Sequence, residues 1–370
     1  MNDRWLTQAA VLLSCAAALA ILVTAPAIGS DVRIGELDAL MSAYEEAGTF
    51  SGAVLVAEAG EVIYERAIGY ANHDWGISNA TDTRFRIASL AKIFTKILLL
   101  QLAEDGLLSF DGTIADYLPN YAGPGAEAIT VRRLFEHRSG IVGEPAVENL
   151  DRIERDHYTR SQMLDLIASY DLAATPGERW IYSNFGYYLL GAILESVSGR
   201  TYAELLEERI CVPAGMQDTL PDVTTQIIER RASGYSLGSD GHLTLDVPLD
   251  MSFVFAYGHL LSTTRDLFLF YNALLDGKLL SPADRPIVYD WEAEWRPIGD
   301  GSQTAYAYED GPASVNGFRA GVYSYPREDR FVVVLMNTRG PGASLVYDVG
   351  RNLAAVLYGA PCVLPATAGG

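Results

Sequence analysis

Apolar positions follow three rhythms along this chain. From Leu6 to Val23 they form a near-continuous block rich in Ala and Leu, with Arg4 before it and Ala25-Pro26-Ala27 after it. That order predicts a secretory signal peptide over residues 1–27, and so an exported protein, periplasmic or extracellular. Two other readings stay open. The block is close to spanning length, as an uncleaved membrane anchor would be. Leu12-Leu13-Ser14-Cys15 also resembles a lipoprotein cleavage site, although the block runs on past Cys15.

The second and third rhythms are helical spacing and alternation. Ile34, Leu37, Leu40, Met41 and Tyr44 lie at helical spacing over 34–47. Residues 52–57 and 62–68 then read as two strands split by Ala59-Gly60-Glu61, a β-hairpin signal. A mostly apolar helix runs to about Glu104 and stops at Asp105-Gly106. Helical stretches at 131–137, 161–169, 185–199 and 201–209 are separated by turn signals, and another spans 263–275. The end returns to strands at 314–325 and 330–337, joined by Pro326-Arg327-Glu328-Asp329, and to a helix at 345–357. Residues 359–370 read as a loose tail. There is no internal repeat. Strands at both ends and helices between predict an α/β (α+β) fold. Residues 31–105 and 300–358 would form a sheet subdomain and 106–299 a mainly helical one, with a cleft between them.

Charge removes some functions. A net charge of −20 argues against nucleic-acid binding and against an anionic membrane surface. After export two cysteines remain, Cys211 and Cys362, and an oxidising compartment permits a disulfide between them. The five His are scattered, with no His-Glu-x-x-His and no paired Cys-x-x-Cys, so neither a metal nor another cofactor is expected.

Candidate chemistry begins at Ser89 and Lys92, in Ile87-Ala88-Ser89-Leu90-Ala91-Lys92. A serine hydroxyl needs a nearby base to become a nucleophile, and positions i and i+3 of a helix are neighbours. An amine kept away from water loses its preference for the charged form and can take the serine's proton. A helix start also aims backbone N–H groups at an oxyanion. The plain alternative is an N-cap serine beside a solvated lysine. Against it, only three of the 27 basic residues are Lys, and the segment after Lys92 is apolar. A buried lysine is rarely there without a partner or a task. Further on, Tyr182-Ser183-Asn184 leads into a helix. A tyrosine beside an ammonium can shuttle protons, and an asparagine amide can both donate to and accept from a substrate amide. Their plain alternatives are a core aromatic and a helix N-cap.

Taken together these segments resemble the serine β-lactamase and penicillin-binding-protein superfamily, in the branch of class C β-lactamases, D-Ala-D-Ala carboxypeptidases and family VIII esterases. The Ser89 segment looks like its first motif and Tyr182-Ser183-Asn184 like its Tyr-x-Asn motif. Gln101-Leu102-Ala103-Glu104-Asp105-Gly106, Tyr117-Leu118-Pro119, the stretch from Ile129 to Gly140, Pro213-Ala214-Gly215-Met216 and Leu261 to Leu267 follow in the same order. The resemblance implies an antiparallel sheet flanked by helices and an acyl-serine mechanism. In it Ser89 attacks, Lys92 and Tyr182 move protons, and Asn184 holds the acyl part of a small ester, amide or peptide. The oxyanion would lie between the N–H of Ser89 and one near Ser314. The third motif, Lys/His-Ser/Thr-Gly, departs: its place reads Gly311-Pro312-Ala313. That shifts the expected substrate away from penicillins and towards esters or unusual amides. It leaves Arg319, two residues past Gly317, as a substitute cation. The stretches 143–157 and 281–312 are the expected cleft walls.

Two other residues compete. Gly234-Tyr235-Ser236-Leu237-Gly238 fits the nucleophile elbow, but the elbow needs a buried strand before it and a helix after it. Here both flanks are polar. His137 could be a base, and reads better as an interior hydrogen-bonding group at a helix end. The leading function is therefore a secreted serine hydrolase. The alternative is a catalytically impaired relative that binds peptidoglycan peptides or a protein partner.

Overall fold

Six strands from the two ends of the chain make one antiparallel sheet. The computed structural model describes residues 30–143, 148–238, 240–281, 283–288, 294–340 and 345–365; the expected signal peptide lies outside them. In chain order the strands are β1 (Gly52–Glu58), β2 (Glu61–Ile68), β3 (Glu294–Ile298), β4 (Gln303–Val315), β5 (Phe318–Tyr325) and β6 (Arg330–Met336). They lie in the order β3-β4-β5-β6-β1-β2. The first strand is thus zipped to the last, with Gly52 opposite Met336 and Glu58 opposite Arg330.

The sequence of β1 shows why it is central. Ala53, Leu55 and Ala57 enter the core on one face, and Val54 and Val56 enter a second core on the other. A strand covered on both faces is apolar throughout rather than alternating. The second core is closed by α1 (Ser30–Glu46) and α5 (Leu345–Tyr358), through Leu37, Leu40, Met41, Tyr44, Val349 and Leu353. Ile34, expected on that face, is exposed instead. The first and larger core holds α2 (Ala91–Glu104), α3 (Asn184–Ser198) and α4 (Thr264–Leu275).

Four expectations change. The strand expected at 314–325 is two strands, turned at Asn316-Gly317 with Val315 opposite Phe318. Gly317 has φ +76, and a Cβ there would meet the Gly234 backbone at 2.5 Å, so conformation and space both require glycine. The helix expected at 201–209 is interrupted: a five-residue wide turn, Glu207–Cys211, follows Tyr202–Leu206. The tail is docked through residue 363, where the Val363 N–H donates to Asn352 Oδ1 at 2.9 Å and Asn352 Nδ2 donates back to Val363 O at 2.7 Å. The permitted disulfide is not formed. Both cysteines are free, and their thiols face the carbonyls of Thr219 and Asn352 respectively.

Candidate active site

Ser89 stands at a break between strand and helix. Phe85–Arg86 pairs with Leu260–Ser262, and Ile87 N–H donates to Leu260 O at 3.0 Å. Ala88 then takes φ +50, a conformation an L-residue adopts only under constraint. One tight turn, Ala88–Leu90, follows, and α2 begins at Ala91. Ser89 thus precedes the helix proper, while Lys92 lies within its first turn and points back at it.

Three of the expected residues, Ser89, Lys92 and Tyr182, are brought into contact. Lys92 Nζ donates to Ser89 Oγ at 3.0 Å and to Tyr257 O at 3.0 Å. Ser89 Oγ also lies 2.9 Å from Tyr182 Oη. Lys92 is only 7% exposed, and its Nζ lies 5.0–5.6 Å from the ring centres of Tyr182, Tyr257 and Tyr187. The three rings enclose the amine, and the Tyr257 carbonyl fixes its direction. Tyr182 is 41% exposed, so the hydroxyl of Ser89 sits between a buried amine and a phenol at the surface.

Tyr182 is held from behind by His137. Ile181 N–H donates to His137 O at 2.7 Å, Ser183 N–H donates to His137 Nδ1 at 3.1 Å, and the imidazole stacks on the Tyr182 ring with centres 4.7 Å apart. Burial first, then Lys92 and Lys96, push His137 down from 6.5 to about 3. It therefore stays neutral and keeps its Nδ1 lone pair for Ser183. Ser183, not Asn184, caps α3: its Oγ accepts from Gly186 N–H at 3.0 Å and donates to Val142 O at 3.0 Å. With the cap supplied by its neighbour, Asn184 is placed on the wall of the site.

That wall encloses a cavity of about 470 Å³ that includes Ser89, Asn184, Tyr257, Ser314, Asn316 and Arg339. Leu150 and Glu154 line it, as expected for 143–157, whereas no described residue of 281–312 does. At Gly311-Pro312-Ala313 the β4–β5 register slips between Asp310 and Ala313, where proline has no N–H for the ladder. No cationic or hydroxyl side chain stands there. Arg319 is buried on β5 rather than on the cavity wall; among the described lining residues the cation is Arg339. Sequence reading missed Tyr257, Asn316 and Arg339. A backbone carbonyl leaves no signal in the sequence, and Arg339 is brought in by strand pairing of distant segments. Ser236 lies on the short strand Tyr235–Leu237 and donates to Asp246 Oδ2 at 2.8 Å. It has neither the elbow's setting nor a histidine partner among the described residues.

The family model described as Beta-lactamase matches residues 37–357. A penicillin-binding protein of Bacillus subtilis (strain 168) is 29% identical over 262 residues, 67% of this chain and 57% of the relative. This chain thus spans little more than half of that protein's length. A teichoic acid D-alanine hydrolase of Staphylococcus aureus is 25% identical over 302 residues, 80% of this chain and 72% of the relative. The crystal structure of a penicillin-binding protein from Bacillus halodurans superposes with a TM-score of 0.69 at 26% identity, covering 86% of this chain and 98% of that one.

Proposed function

The chain belongs to the beta-lactamase family, and from that premise we propose that it is an exported serine hydrolase that cleaves small esters or amides through an acyl-serine intermediate. The observation that carries this reading is the Ser89 hydroxyl held 3.0 Å from the Lys92 amine and 2.9 Å from the Tyr182 phenol.

Ser89 Oγ attacks the substrate carbonyl carbon as its proton passes to the neutral Lys92 amine beside it. The oxyanion is taken by the N–H groups of Ser89 and Ser314, donors fixed before the reaction begins. The carbon–heteroatom bond then breaks. Tyr182, on the exposed side, is placed to hand the leaving group its proton, while buried Lys92 replenishes the phenol. Asn184 holds the acyl part. Water enters by the same route and releases the acid. Residues 31–105 and 300–358, with β3 at Glu294–Ile298, carry the strand side of this cleft, and the rest of 106–299 the helical side. Export rests on the apolar block at Leu6–Val23 and on the company of a penicillin-binding protein and a teichoic acid D-alanine hydrolase. Among the described residues no helix is long and apolar enough to cross a membrane.

Gly311-Pro312-Ala313 favours esters over penicillins, and it is also the feature that a purely binding protein would share. One experiment separates these. The mature protein and Ser89→Ala are treated with a fluorophosphonate and with a fluorescent penicillin, then mapped by peptide mass. The proposal expects stoichiometric phosphonate on Ser89, little or no penicillin, and no label in the variant. Absence of both labels from Ser89 rejects it in favour of binding alone, and a phosphonate on Ser236 would reject the choice of nucleophile.

A further inference from the structure

Trp180 leaves 59% of its surface in solvent, two residues before Tyr182. Its ring nevertheless has a fixed seat. It meets the His137 imidazole at 67° with centres 5.7 Å apart, while Tyr182 stacks on the same imidazole at 28° and 4.7 Å. The two outer rings lie 6.2 Å apart and are tilted by 43°. Between them the Ile181 N–H donates to His137 O at 2.7 Å, which ties the backbone down as well. Trp180 and Tyr182 thus form one aromatic shelf built on one histidine. Its Tyr182 end carries the hydroxyl that lies 2.9 Å from Ser89 Oγ.

The shelf is separate from the cavity of about 470 Å³. The described lining of that cavity includes Ser89, Asn184 and Ser314 but neither Trp180 nor Tyr182. Ser89 belongs to the cavity and touches the shelf. A carbonyl carbon bonded to Ser89 therefore has one arm in the cavity and the other across the rings. Asn184 takes the acyl part inside the cavity, and Tyr182 hands its proton to the departing atom. The arm across the rings is then the leaving group, and Trp180 is the surface it meets beyond the phenol. The imidazole beneath is neutral, so the shelf offers ring faces rather than charge. Covering an exposed indole removes apolar surface from water. An aromatic partner gains further from offset or edge-to-face packing, and a Trp ring held in place loses little freedom on binding.

We propose that Trp180 binds the leaving group of the substrate, and that the chain prefers esters or amides whose leaving group carries an aromatic ring. This rests on the acyl-serine reading above, and the test keeps the two apart.

Phenyl acetate and 2-naphthyl acetate share an acyl part and release alcohols of similar acidity, but differ by one fused ring. The wild-type kcat/KM is expected to favour the naphthyl ester about fivefold, the size of one favourable aromatic pair. Trp180→Ala should abolish that preference through KM, and Trp180→Phe should keep part of it. The ratio of phenyl acetate to phenyl butyrate reads the acyl side and should not move in either variant. No preference in the wild type, a preference unchanged in Trp180→Ala, or an equal loss for both leaving groups would overturn the proposal. So would a change confined to the acyl ratio. Calorimetric binding of 2-naphthol to Ser89→Ala reads the shelf without turnover, and should weaken about fivefold when Trp180 is also replaced. Binding of 2-naphthol that depends on Trp180, with no turnover of either ester by the wild type, would reject the acyl-serine reading and leave the shelf standing.

Discussion

Lys92 is nearly excluded from water, and its Nζ donates to the Ser89 hydroxyl and to the Tyr257 carbonyl. Burying an amine is costly, and an apolar side chain of similar size usually costs less. The Lys92→Met variant should therefore melt at the same temperature as the wild type or higher, while ester turnover falls by about a thousandfold or more, as when a nucleophile loses its base. A fall in Tm of several degrees would mean that the lysine is structural. Tyr182→Phe keeps the ring on His137 and removes only the hydroxyl. It should lower kcat by about a hundredfold, the range of one acid–base group, with little change in melting. Kinetics on purified variants would check both. An unchanged kcat in Tyr182→Phe would remove the phenol from the proton path.

The elements show what a sequence can and cannot reveal about this fold. The hairpin of β1 and β2, the helices α2, α3 and α4 and the closing helix α5 were legible because burial on one or both faces imposes a rhythm on apolar residues. The turn at Asn316-Gly317 was not, since it interrupts an apolar run with only two residues. The Ser89, Lys92, Tyr182 and Asn184 positions were legible through their spacing and order. Tyr257 and Arg339 act through a carbonyl and through the parallel pairing of residues 338–339 with 235–236, and neither leaves a local pattern. The turn also yields a prediction. Gly317→Ala places a Cβ in left-handed backbone against Gly234 and should cost about 2–4 kcal/mol, the size of a strained and crowded substitution. Denaturant unfolding would measure it, and a loss below about 1 kcal/mol would show that β4 and β5 can separate from residues 234–235.

At the scale of the whole molecule, two buried imidazoles link stability to acidity. His137 and His259 both lie near 3 instead of 6.5, each chiefly because of burial. The unfolded chain takes up protons near pH 6.5 that the folded chain refuses. The stability they permit is therefore complete above about pH 6.5 and is lost as pH falls towards 3. Tm should be lower at pH 5 than at pH 7.5, and the NMR signals of both rings should not titrate between those values. Titration of the His137 signal near its ordinary pKa would contradict the clamp on Tyr182. The central claim concerns a covalent bond, and trapping that bond tests it most directly. The wild-type protein is quenched in acid during turnover of phenyl acetate, and its peptides are weighed. The account predicts the mass of one acetyl group on the peptide containing Ser89, absent from Ser89→Ala. Turnover with no acetyl group on Ser89, or with the acetyl group on any other residue, would contradict it.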